Sequence, residues 1–356
     1  MPNFWGCRCC QSKWIRIRIR AINPDGNQLW VWNKFPIQYE SIRPLSFSVS
    51  SSGCLFCELE GETTCRISQT TLLGVTEWTN DINDDFPLLT GISCTLPVHD
   101  VYGNVYVFVS GVDSSAHRRG YLASFDSSGV FRWTYEPAET NIFNIASYGD
   151  TIWFTTGVFG EGKIYGVHSD GTLNGTRSIG ISVDRFIAGG EIRTNADGDL
   201  FYAERNAAGD VSLIVIDENC SVVSSSSLTP TDFTGGSSAS LGLLSDGSMA
   251  GLGVNSSGDS VLHNLETDAN VCVFDPSGSL RSSDLDDAGI IYTNETVSTY
   301  NRVIKYDQSG AKLWTLTETT SSSDSSLNLA PQVACHGDLI LIGTATQRLR
   351  LGFTVV

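Results

Sequence analysis

Turns that contain glycine recur along this chain at a nearly constant interval, and this periodicity constrains the fold more than any other feature. Successive turns of the first series are 42 to 50 residues apart. In six of the seven, the glycine is followed at once by a short run of apolar, β-branched or aromatic residues, which is typical of a tight turn leading into a β-strand. The glycines are Gly53, Gly103, Gly149, Gly198, Gly247, Gly289 and Gly337.

A second series of turns alternates with the first and carries a more detailed pattern. Four of its turns have a tryptophan four residues after the glycine, and four have an aspartate three residues before the turn residue. Aspartate can accept hydrogen bonds from turn amides, glycine tolerates a positive φ, and tryptophan can cover a sheet edge. The turn residues are Gly26, Gly74, Gly129, Gly171, Cys220, Gly278 and Gly310; the tryptophans are Trp30, Trp78, Trp133 and Trp314; the aspartates are Asp126, Asp217, Asp275 and Asp307.

Together the two series predict a repeat of four strands. A turn of the first series joins the first strand to the second, and a turn of the second series joins the third to the fourth. Repeats of about 40 to 50 residues that contain only strands and turns are typical of β-propellers. We therefore predict an all-β protein, a seven-bladed β-propeller of four-stranded blades, with six or eight blades as the alternatives.

The ends of the chain predict how such a ring closes. The first turn belongs to the second series and the last belongs to the first series, so each end supplies half a blade. The N-terminal strands at residues 14–22 and 28–32 should complete the C-terminal blade begun by residues 333–346. This arrangement leaves no open sheet edge between the first and last blades. The predicted organisation is an N-terminal cysteine-containing arm, residues 1–13, followed by a single β-propeller domain, residues 14–356.

The pattern Asp-x-x-Gly-x-x-x-Trp is complete at residues 126–133 and 307–314. It resembles the repeat of the quinoprotein-like β-propellers, also known as the PQQ-like repeat. The tryptophan is missing around Gly171, Cys220 and Gly278, so the resemblance is one of repeat pattern only. That family includes quinone-cofactor dehydrogenases and a non-enzymatic scaffold of bacterial outer-membrane protein assembly. The resemblance implies a fold and leaves both kinds of function open.

Composition narrows the classes of partner. The chain has 22 basic and 39 acidic residues among 356, a net charge of −17. A surface of this sign repels phosphates, so no nucleic-acid partner is predicted. No apolar run reaches 18 residues, so no membrane span is predicted. The first residues, MPNFWGCRCCQSKW, lack the apolar stretch of a secretory signal. The localisation is left unknown, with a virion or another extracellular assembly among the places that fit.

Ten cysteines occur, and three are clustered near the N-terminus as Cys7, Cys9 and Cys10. With Cys54 and Cys57 they suggest a four-thiolate zinc or iron–sulfur site. The geometry argues against such a site, because Cys54 and Cys57 are three residues apart in a predicted strand and residues so spaced point to opposite faces. The simpler interpretation is that Cys65, Cys272 and Cys335 are buried thiols and that the N-terminal cluster is free or disulfide-linked. Adjacent thiols at a chain end could also cross-link neighbouring subunits, so we predict an inter-chain disulfide or metal site at the cluster, with the metal unknown.

Two strands near the chain ends carry arginines at alternate positions. In the N-terminal strand Arg16, Arg18 and Arg20 alternate with isoleucines, and in the C-terminal strand Arg348 and Arg350 alternate with leucines. Alternation places the arginines of one strand on one face. Either they pair with carboxylates of the adjacent blade, with their stems packed on it, or they form an assembly interface for an acidic partner such as a sister subunit.

Motifs for catalysis are missing from the sequence. The pattern Gly-x-Ser-x-Gly, the pattern His-Glu-x-x-His and a phosphate-binding loop do not occur. The acidic residues 80–85, NDINDD, either bind calcium through several carboxylates or form a solvated loop. No cofactor is predicted. The histidines are interpreted as turn residues rather than ligands or bases: His99, His117, His168, His263 and His336.

These features favour a non-enzymatic structural and interaction propeller that is a subunit of a larger oligomeric assembly, such as a virion surface or tail component. It would bind other protein subunits, or a glycan, through its loops. The alternative is an enzyme with a site at the axial end of the ring, either a quinone-dependent dehydrogenase or a glycan-cleaving enzyme. That alternative requires polar groups that converge from several blades. The natural partner and the oligomeric state do not follow from the sequence.

Overall fold

The structure is a computed structural model of the chain. It describes residues 13–25, 27–38, 46–60, 64–140, 142–158, 161–179, 192–195, 197–205, 211–228, 235–274, 279–285, 291–297, 300–319, 332–336 and 339–349. These residues form antiparallel β-sheets and one short helix, α1 (Ile82–Asp85). At four residues, α1 is far too short to cross a membrane, and no other helix occurs in the described ranges.

The chain begins with β1 (Lys13–Ile22) and β2 (Gln28–Gln38), and then forms one four-stranded sheet after another. Sheet II consists of β3 (Ser46–Ser50), β4 (Gly53–Glu60), β5 (Thr64–Thr70) and β6 (Thr76–Asp81). Sheet III consists of β7 (Thr90–His99), β8 (Val105–Val112), β9 (Arg118–Phe125) and β10 (Phe131–Tyr135). Sheet IV consists of β11 (Ile142–Tyr148), β12 (Thr151–Val158), β13 (Glu161–His168) and β14 (Leu173–Ser178).

Three more sheets follow in the same way. Sheet V consists of β15 (Arg193–Thr194), β16 (Leu200–Arg205), β17 (Val211–Ile216) and β18 (Val222–Leu228). Sheet VI consists of β19 (Gly235–Leu243), β20 (Met249–Val254), β21 (Ser260–Asn264) and β22 (Ala269–Phe274). Sheet VII consists of β23 (Ser279–Leu285), β24 (Ile291–Val297), β25 (Tyr300–Tyr306) and β26 (Lys312–Thr319). The last strands, β27 (Gln332–His336) and β28 (Leu339–Leu349), join β1 and β2 in sheet I.

Sheet I combines strands from the two ends of the chain. Its strand order is β2-β1-β28-β27. β1 lies antiparallel to β28 along its whole length, from the pair Lys13 and Leu349 to the pair Ile22 and Ile340. Ten consecutive residue pairs therefore tie the N-terminal strand to the C-terminal one.

In sheets II to VII the strands lie side by side in chain order. Antiparallel strands in this order place the turn between the first and second strands at the same end as the turn between the third and fourth. We call this end the turn face. Its first-series glycines have a positive φ, as a tight turn requires; these are Gly53, Gly103, Gly149, Gly198 and Gly247, whereas Gly289 and Gly337 lie outside the described residues.

Buried apolar side chains fill the space between each sheet and the next. Each fully buried aliphatic or aromatic side chain contributes about 1.5–3 kcal/mol to stability. One residue from each side illustrates each cluster: Ile19 and Phe47 for sheets I and II, Leu55 and Val105 for II and III, Phe108 and Phe154 for III and IV, Trp153 and Leu200 for IV and V, Phe201 and Leu241 for V and VI, Leu252 and Ile291 for VI and VII, and Val303 and Ile22 for VII and I.

The sequence assigned one turn wrongly. Gly278 was expected between the third and fourth strands of a blade, but it falls between β22 of sheet VI and β23 of sheet VII, and it lies outside the described residues. The turn that joins β21 to β22 instead contains Asp268, whose φ is 53°. Aspartate tolerates the left-handed region better than most residues, so this turn needs no glycine and shows no glycine pattern in the sequence.

Candidate interaction surface

Tryptophans of the second series connect neighbouring sheets at the turn face. Each indole Nε1 donates a hydrogen bond to a carbonyl in the turn of another sheet. The sequence placed tryptophan at a blade edge, and the structure adds that the ring reaches across to the next sheet. The pairs are Trp30 with Leu72 O at 2.8 Å, Trp78 with Ser127 O at 3.0 Å, Trp133 with Ser169 O at 2.9 Å and Trp314 with Pro24 O at 2.6 Å.

A glycine of the next turn makes room for the indoles of Trp30, Trp78 and Trp133. A Cβ placed on Gly129 would lie 2.6 Å from ring carbons of Trp78, and one placed on Gly74 would lie 2.7 Å from the ring of Trp30. Both glycines also have a positive φ, near 80°. These turns therefore require glycine for two independent reasons, the backbone conformation and the contact with the ring.

Sheet IV lacks the tryptophan and replaces its hydrogen bond by other means. Asn174 Nδ2 donates to Glu218 O at 2.8 Å, in the turn of sheet V. The neighbouring Gly175 has no side chain, and its backbone lies directly against Asn219 O. The turn residue at this position, Cys220, has a φ of 60° although it is not glycine. Sheets IV and V are thus joined at the turn face by the Asn174 side-chain amide and by a close approach of the two backbones, in place of a tryptophan.

Asp126 and Asp307 of the second series order their turns and stay charged. Asp126 Oδ1 accepts from the backbone N of Ser128 at 2.9 Å and of Val130 at 3.0 Å. The hydroxyl of Ser128, together with these amides, lowers the pKa of Asp126 below its ordinary value. Asp307 makes the equivalent contacts, and its pKa is lowered in the same way. These carboxylates are therefore ionised at neutral pH.

Most of the described turns of the turn face are acidic, although the two turns of sheet II carry no carboxylate. Carboxylates occur in the turns of every sheet from III to VII and in the β1–β2 turn, and none of the described turns contains a lysine or arginine. His168 is the basic residue among them. The carboxylates are Asp25, Asp100, Asp126, Asp150, Asp170, Asp197, Asp199, Asp217, Glu218, Asp246, Glu266, Asp268 and Asp307.

Large apolar side chains project from the same face at sheets II and III. Leu73 is 81% exposed in the β5–β6 turn, and Tyr102 is 68% exposed in the β7–β8 turn. Val75, Val101 and Val130, in the same two turns and the β9–β10 turn, are also exposed. We call these five residues the apolar turn residues. Exposed apolar side chains grouped within a polar surround mark sites of protein interaction.

The turns of sheets II and III are close neighbours. A Cβ placed on Gly103, in the β7–β8 turn, would lie 3.4 Å from Ser127 Cβ in the β9–β10 turn and 3.7 Å from Ser52 Oγ in the β3–β4 turn. The turns that carry Tyr102 and Val130 are therefore in contact. Apolar and acidic groups therefore lie in neighbouring turns on this part of the turn face.

A buried hydrogen-bonded network lies just beneath these turns. His99, at the end of β7, has Nδ1 at 2.9 Å from Ser50 Oγ and Nε2 at 3.2 Å from Gln69 Oε1. Gln69 Nε2 in turn donates to Glu77 Oε2 at 2.8 Å. Ser147 Oγ donates to the backbone oxygen of His99 at 2.5 Å. The network joins the first strands of sheets II, III and IV.

The chemistry of this network favours a structural role. Burial lowers the pKa of His99 to about 4, although Asp100 acts in the opposite direction. The ring is therefore neutral at neutral pH, and its donor nitrogen faces Gln69 Oε1, leaving Nδ1 to accept from Ser50. A base with so low a pKa accepts a proton from a serine poorly at neutral pH. The sequence indicates that His99 is a turn residue but not which residues it contacts, because its partners lie 30 and 49 residues away.

Among the other histidines, the described side chains of His168 and His263 lie in different sheets, IV and VI. His263 is fully buried, with Nδ1 at 3.0 Å from Asn270 Oδ1 and Nε2 at 3.1 Å from Asp268 Oδ1. His168 Nδ1 lies 3.6 Å from Asp150 Oδ2. Within the described ranges, no three histidine, cysteine, aspartate or glutamate side chains are grouped so that they could hold a metal ion.

The acidic segment at residues 80–85 forms α1 and its cap. Asp81 Oδ1 accepts from Asn83 N at 3.2 Å at the start of the helix. Asn80 Nδ2 donates to Asp85 Oδ2 at 3.0 Å and to Gly129 O of sheet III at 3.1 Å. Burial raises the pKa of Asp85. These contacts hold the segment against the next sheet.

The predicted cysteine site is only partly described. Cys7, Cys9 and Cys10 lie outside the described residues. Cys54 packs between sheets I and II, whereas Cys57 packs between sheets II and III. The two thiols therefore lie on opposite faces of β4 and cannot bind the same ion.

The arginine positions share one face of sheet I. Arg16, Arg18 and Arg20 occupy every second position of β1, and Arg348 is the cross-strand partner of Trp14, which belongs to the same set of alternate positions. Arg20 is partly buried, with its Nε atom inaccessible to solvent. Arg350 lies outside the described residues.

Comparison with known proteins concerns the fold. No protein-family model matches the sequence, and no curated protein matches it. A chain in the crystal structure of the mitotic checkpoint complex aligns over 96% of this chain and 96% of its own length, with a TM-score of 0.53 and 10% identity. The computationally designed Ika8 protein aligns over 91% of this chain and 87% of its own, with a TM-score of 0.50 and 8% identity.

A third solved structure, BamB from Moraxella catarrhalis, aligns over 84% of this chain and 93% of its own length, with a TM-score of 0.49 and 12% identity. At such low identities, likeness is informative about the fold alone. The four-stranded antiparallel sheets and the structural neighbours together show that the chain is a β-propeller.

Proposed function

We propose that this β-propeller is a non-enzymatic interaction subunit of a larger assembly, and that it binds a partner protein through its turn face. The observation that carries the proposal is the combination on that face of exposed apolar side chains, such as Leu73 and Tyr102, with carboxylates in the described turns of sheets III to VII. Apolar anchors supply binding energy at an interface, and the surrounding charges select the partner and speed its association.

The charge of the turn face defines the partner's chemistry. A partner with lysines and arginines around an apolar centre would be attracted, whereas an acidic partner would be repelled. The tryptophan junctions and the His99 network hold the turns rigid from beneath, so that little ordering accompanies binding. A rigid surface of this kind suits a stable subunit of an assembly.

We further propose that the propeller has seven blades and closes through sheet I, with repeats of the quinoprotein-like type. The support is that seven apolar clusters link each four-stranded sheet to its successor and sheet VII to sheet I. Trp314 also reaches from sheet VII to the β1–β2 turn of sheet I. Residues 14–356 would then be one domain that follows an arm at residues 1–13.

The chain-end features belong to the same proposal. Arg16, Arg18, Arg20, Arg348 and Arg350 would form a second contact, with an acidic surface of a sister subunit. Cys7, Cys9 and Cys10 would cross-link neighbouring chains. A virion surface or tail component is the assembly that we propose, and a glycan is the alternative ligand for the loops.

A matched pair of variants tests the turn face. The double variant Leu73→Glu/Tyr102→Glu adds charge to the apolar turn residues, whereas Leu88→Glu adds charge to a side chain that is 83% exposed at the opposite end of the sheets. Each variant is expressed in the natural source, and the assembly is purified and weighed by native mass spectrometry. We expect the double variant to lose its co-purifying subunits and Leu88→Glu to retain them. Equal retention by both variants would remove the turn face from the proposal.

Zero-length carbodiimide cross-linking gives an independent readout, because it joins carboxylates to lysines of a partner. Linkage at Asp170, Asp197 or Asp246, which are exposed on the turn face, supports the proposed surface. Cross-links confined to carboxylates of the opposite end, such as Asp84 or Glu136, would locate the interface elsewhere. Charge reversal of Arg16 and Arg18 tests the second contact, which predicts loss of assembly with an intact fold.

A further inference from the structure

Two buried cysteines meet between sheets II and III. Cys65, on β5, and Cys94, on β7, have their Sγ atoms 2.8 Å apart. Both side chains are almost fully buried in the apolar cluster that contains Leu55 and Val105. The two residues are 29 positions apart in sequence and are separated by β6 and α1, so only the folded chain brings them together.

We propose that Cys65 and Cys94 are a disulfide-forming pair that cross-links sheet II to sheet III when the protein folds in the presence of a disulfide oxidant. A disulfide bond is about 2.05 Å long, so the two sulfur atoms need approach by less than about 1 Å. Such an approach requires only small side-chain adjustments. The strands that carry the two cysteines already pack against one another in this cluster.

The reaction is ordinary thiol–disulfide exchange with a small disulfide such as oxidised glutathione. The thiolate of one cysteine attacks the oxidant, breaking its S–S bond, forming a mixed disulfide and releasing one glutathione thiolate. The second cysteine thiolate then attacks the protein sulfur of the mixed disulfide and releases a second glutathione. Both protein thiols lose their protons, and two electrons pass to the oxidant.

The environment of the pair determines when the reaction occurs. Hydrogen bonding to Cys94 and burial both raise the pKa of the Cys65 thiol strongly. Because the thiolate is the reactive form, the reduced pair reacts slowly once folded. Oxidation is therefore expected during folding or local opening, and the finished bond is shielded from reductants by the same burial.

Other buried cysteines provide controls within the chain. Cys57 lies in the same apolar cluster on β4 and is the competing partner. Cys272 is buried between sheets VI and VII in a cluster with no other cysteine. A true site at Cys65 and Cys94 must therefore be selective against Cys57 and must leave Cys272 reduced.

The test uses the full chain. The protein is unfolded in urea, refolded in a buffer of reduced and oxidised glutathione, alkylated, digested without reductant and mapped by mass spectrometry. We expect a peptide pair linked through Cys65 and Cys94 in wild type and in Cys272→Ser, and its loss in Cys94→Ala. The urea midpoint of the oxidised wild type should exceed that of the reduced form, and this difference should vanish in Cys94→Ala.

Two outcomes would overturn the proposal. One is folded protein in which Cys65 and Cys94 are both alkylated after refolding in the oxidising buffer. The other is linkage of either residue to Cys57. If refolding yields too little protein, exposure to oxidised glutathione in urea just below the unfolding midpoint, where the chain opens and recloses, replaces it, with the same peptides as the readout and the same two outcomes against the proposal.

Discussion

Replacing His99 with glutamine tests the buried network beneath the turn face through its effect on stability against pH. The pKa of His99 is lowered by burial to about 4, whereas histidine in an unfolded chain titrates near about 6.5. The folded state therefore binds fewer protons than the unfolded state between these values. The contribution of His99 is fully present above about pH 6.5 and is lost progressively as the pH falls toward about 4.

The size of the effect follows from the pKa difference. Over each pH unit in which the unfolded state binds one more proton than the folded state, the unfolding free energy falls by about 1.4 kcal/mol as the pH is lowered. His99 alone should therefore lower the unfolding free energy of wild type by about 2 kcal/mol between pH 7 and pH 5. His99→Gln retains a donor that can reach Gln69 Oε1, as His99 Nε2 does, but it does not titrate. Between pH 7 and pH 5, the unfolding free energy of His99→Gln should therefore fall by about 2 kcal/mol less than that of wild type.

Urea unfolding, followed by tryptophan fluorescence at pH 7, 6 and 5, measures the difference. The matched control is His117→Gln, because the side chain of His117 is 71% exposed. The control should keep the pH dependence of wild type, even if its absolute stability differs. If wild type and His99→Gln lose the same stability between pH 7 and pH 5, the ring is not held neutral by burial and the reasoning fails.

Three further predictions concern the sheet junctions. Gly129→Ala should destabilise the protein by roughly 1–3 kcal/mol more than Gly258→Ala in urea unfolding, because both glycines have a positive φ but of the two only Gly129 faces a tryptophan ring. Equal losses of stability would argue against that contact. Trp133→Phe removes the indole donor to a carbonyl of sheet IV and should cost about 0.5–1.5 kcal/mol in the same assay, whereas no change would make that bond dispensable. Glu139 accepts from Tyr165 at 2.6 Å and pairs with Lys163 at 2.8 Å. Burial acts to raise the pKa of Glu139, but these contacts lower it overall, so its contribution to the free energy of unfolding is present above about pH 4.5 and lost below it. Glu139→Gln should flatten that part of the profile of stability against pH, and an unchanged profile would contradict the assignment.

The sequence predicted the fold best where each feature depends on local backbone chemistry. Asp126 and Asp307, three residues before a turn glycine, accept hydrogen bonds from the turn amides, because the side chain and its amide donors are neighbours in sequence. The turn between β21 and β22 was not predicted, because Asp268 supplies the positive φ there without a glycine. Residues 275–278 have the Asp-x-x-Gly pattern of a turn, but they lie in the connection between sheets VI and VII.

The candidate site was less predictable, because it depends on contacts between distant residues. Exposure of Leu73 and Tyr102 follows from where their turns end in the folded chain, and the sequence offers no periodic signal for it. The meeting of Cys65 and Cys94 likewise depends on how sheet II packs on sheet III. The acidic character was visible as a net charge, but its concentration in the turns of one face required the strand order.

The most direct test of the central claim is a native mass spectrum of the protein from its natural source, recorded with and without reductant. The proposed function predicts a complex with other protein subunits, or with further copies of the chain, and no added small-molecule mass. Loss of subunits on reduction would implicate cross-links by Cys7, Cys9 or Cys10. A monomer that carries a discrete added mass would contradict the claim and indicate a bound cofactor or ligand instead.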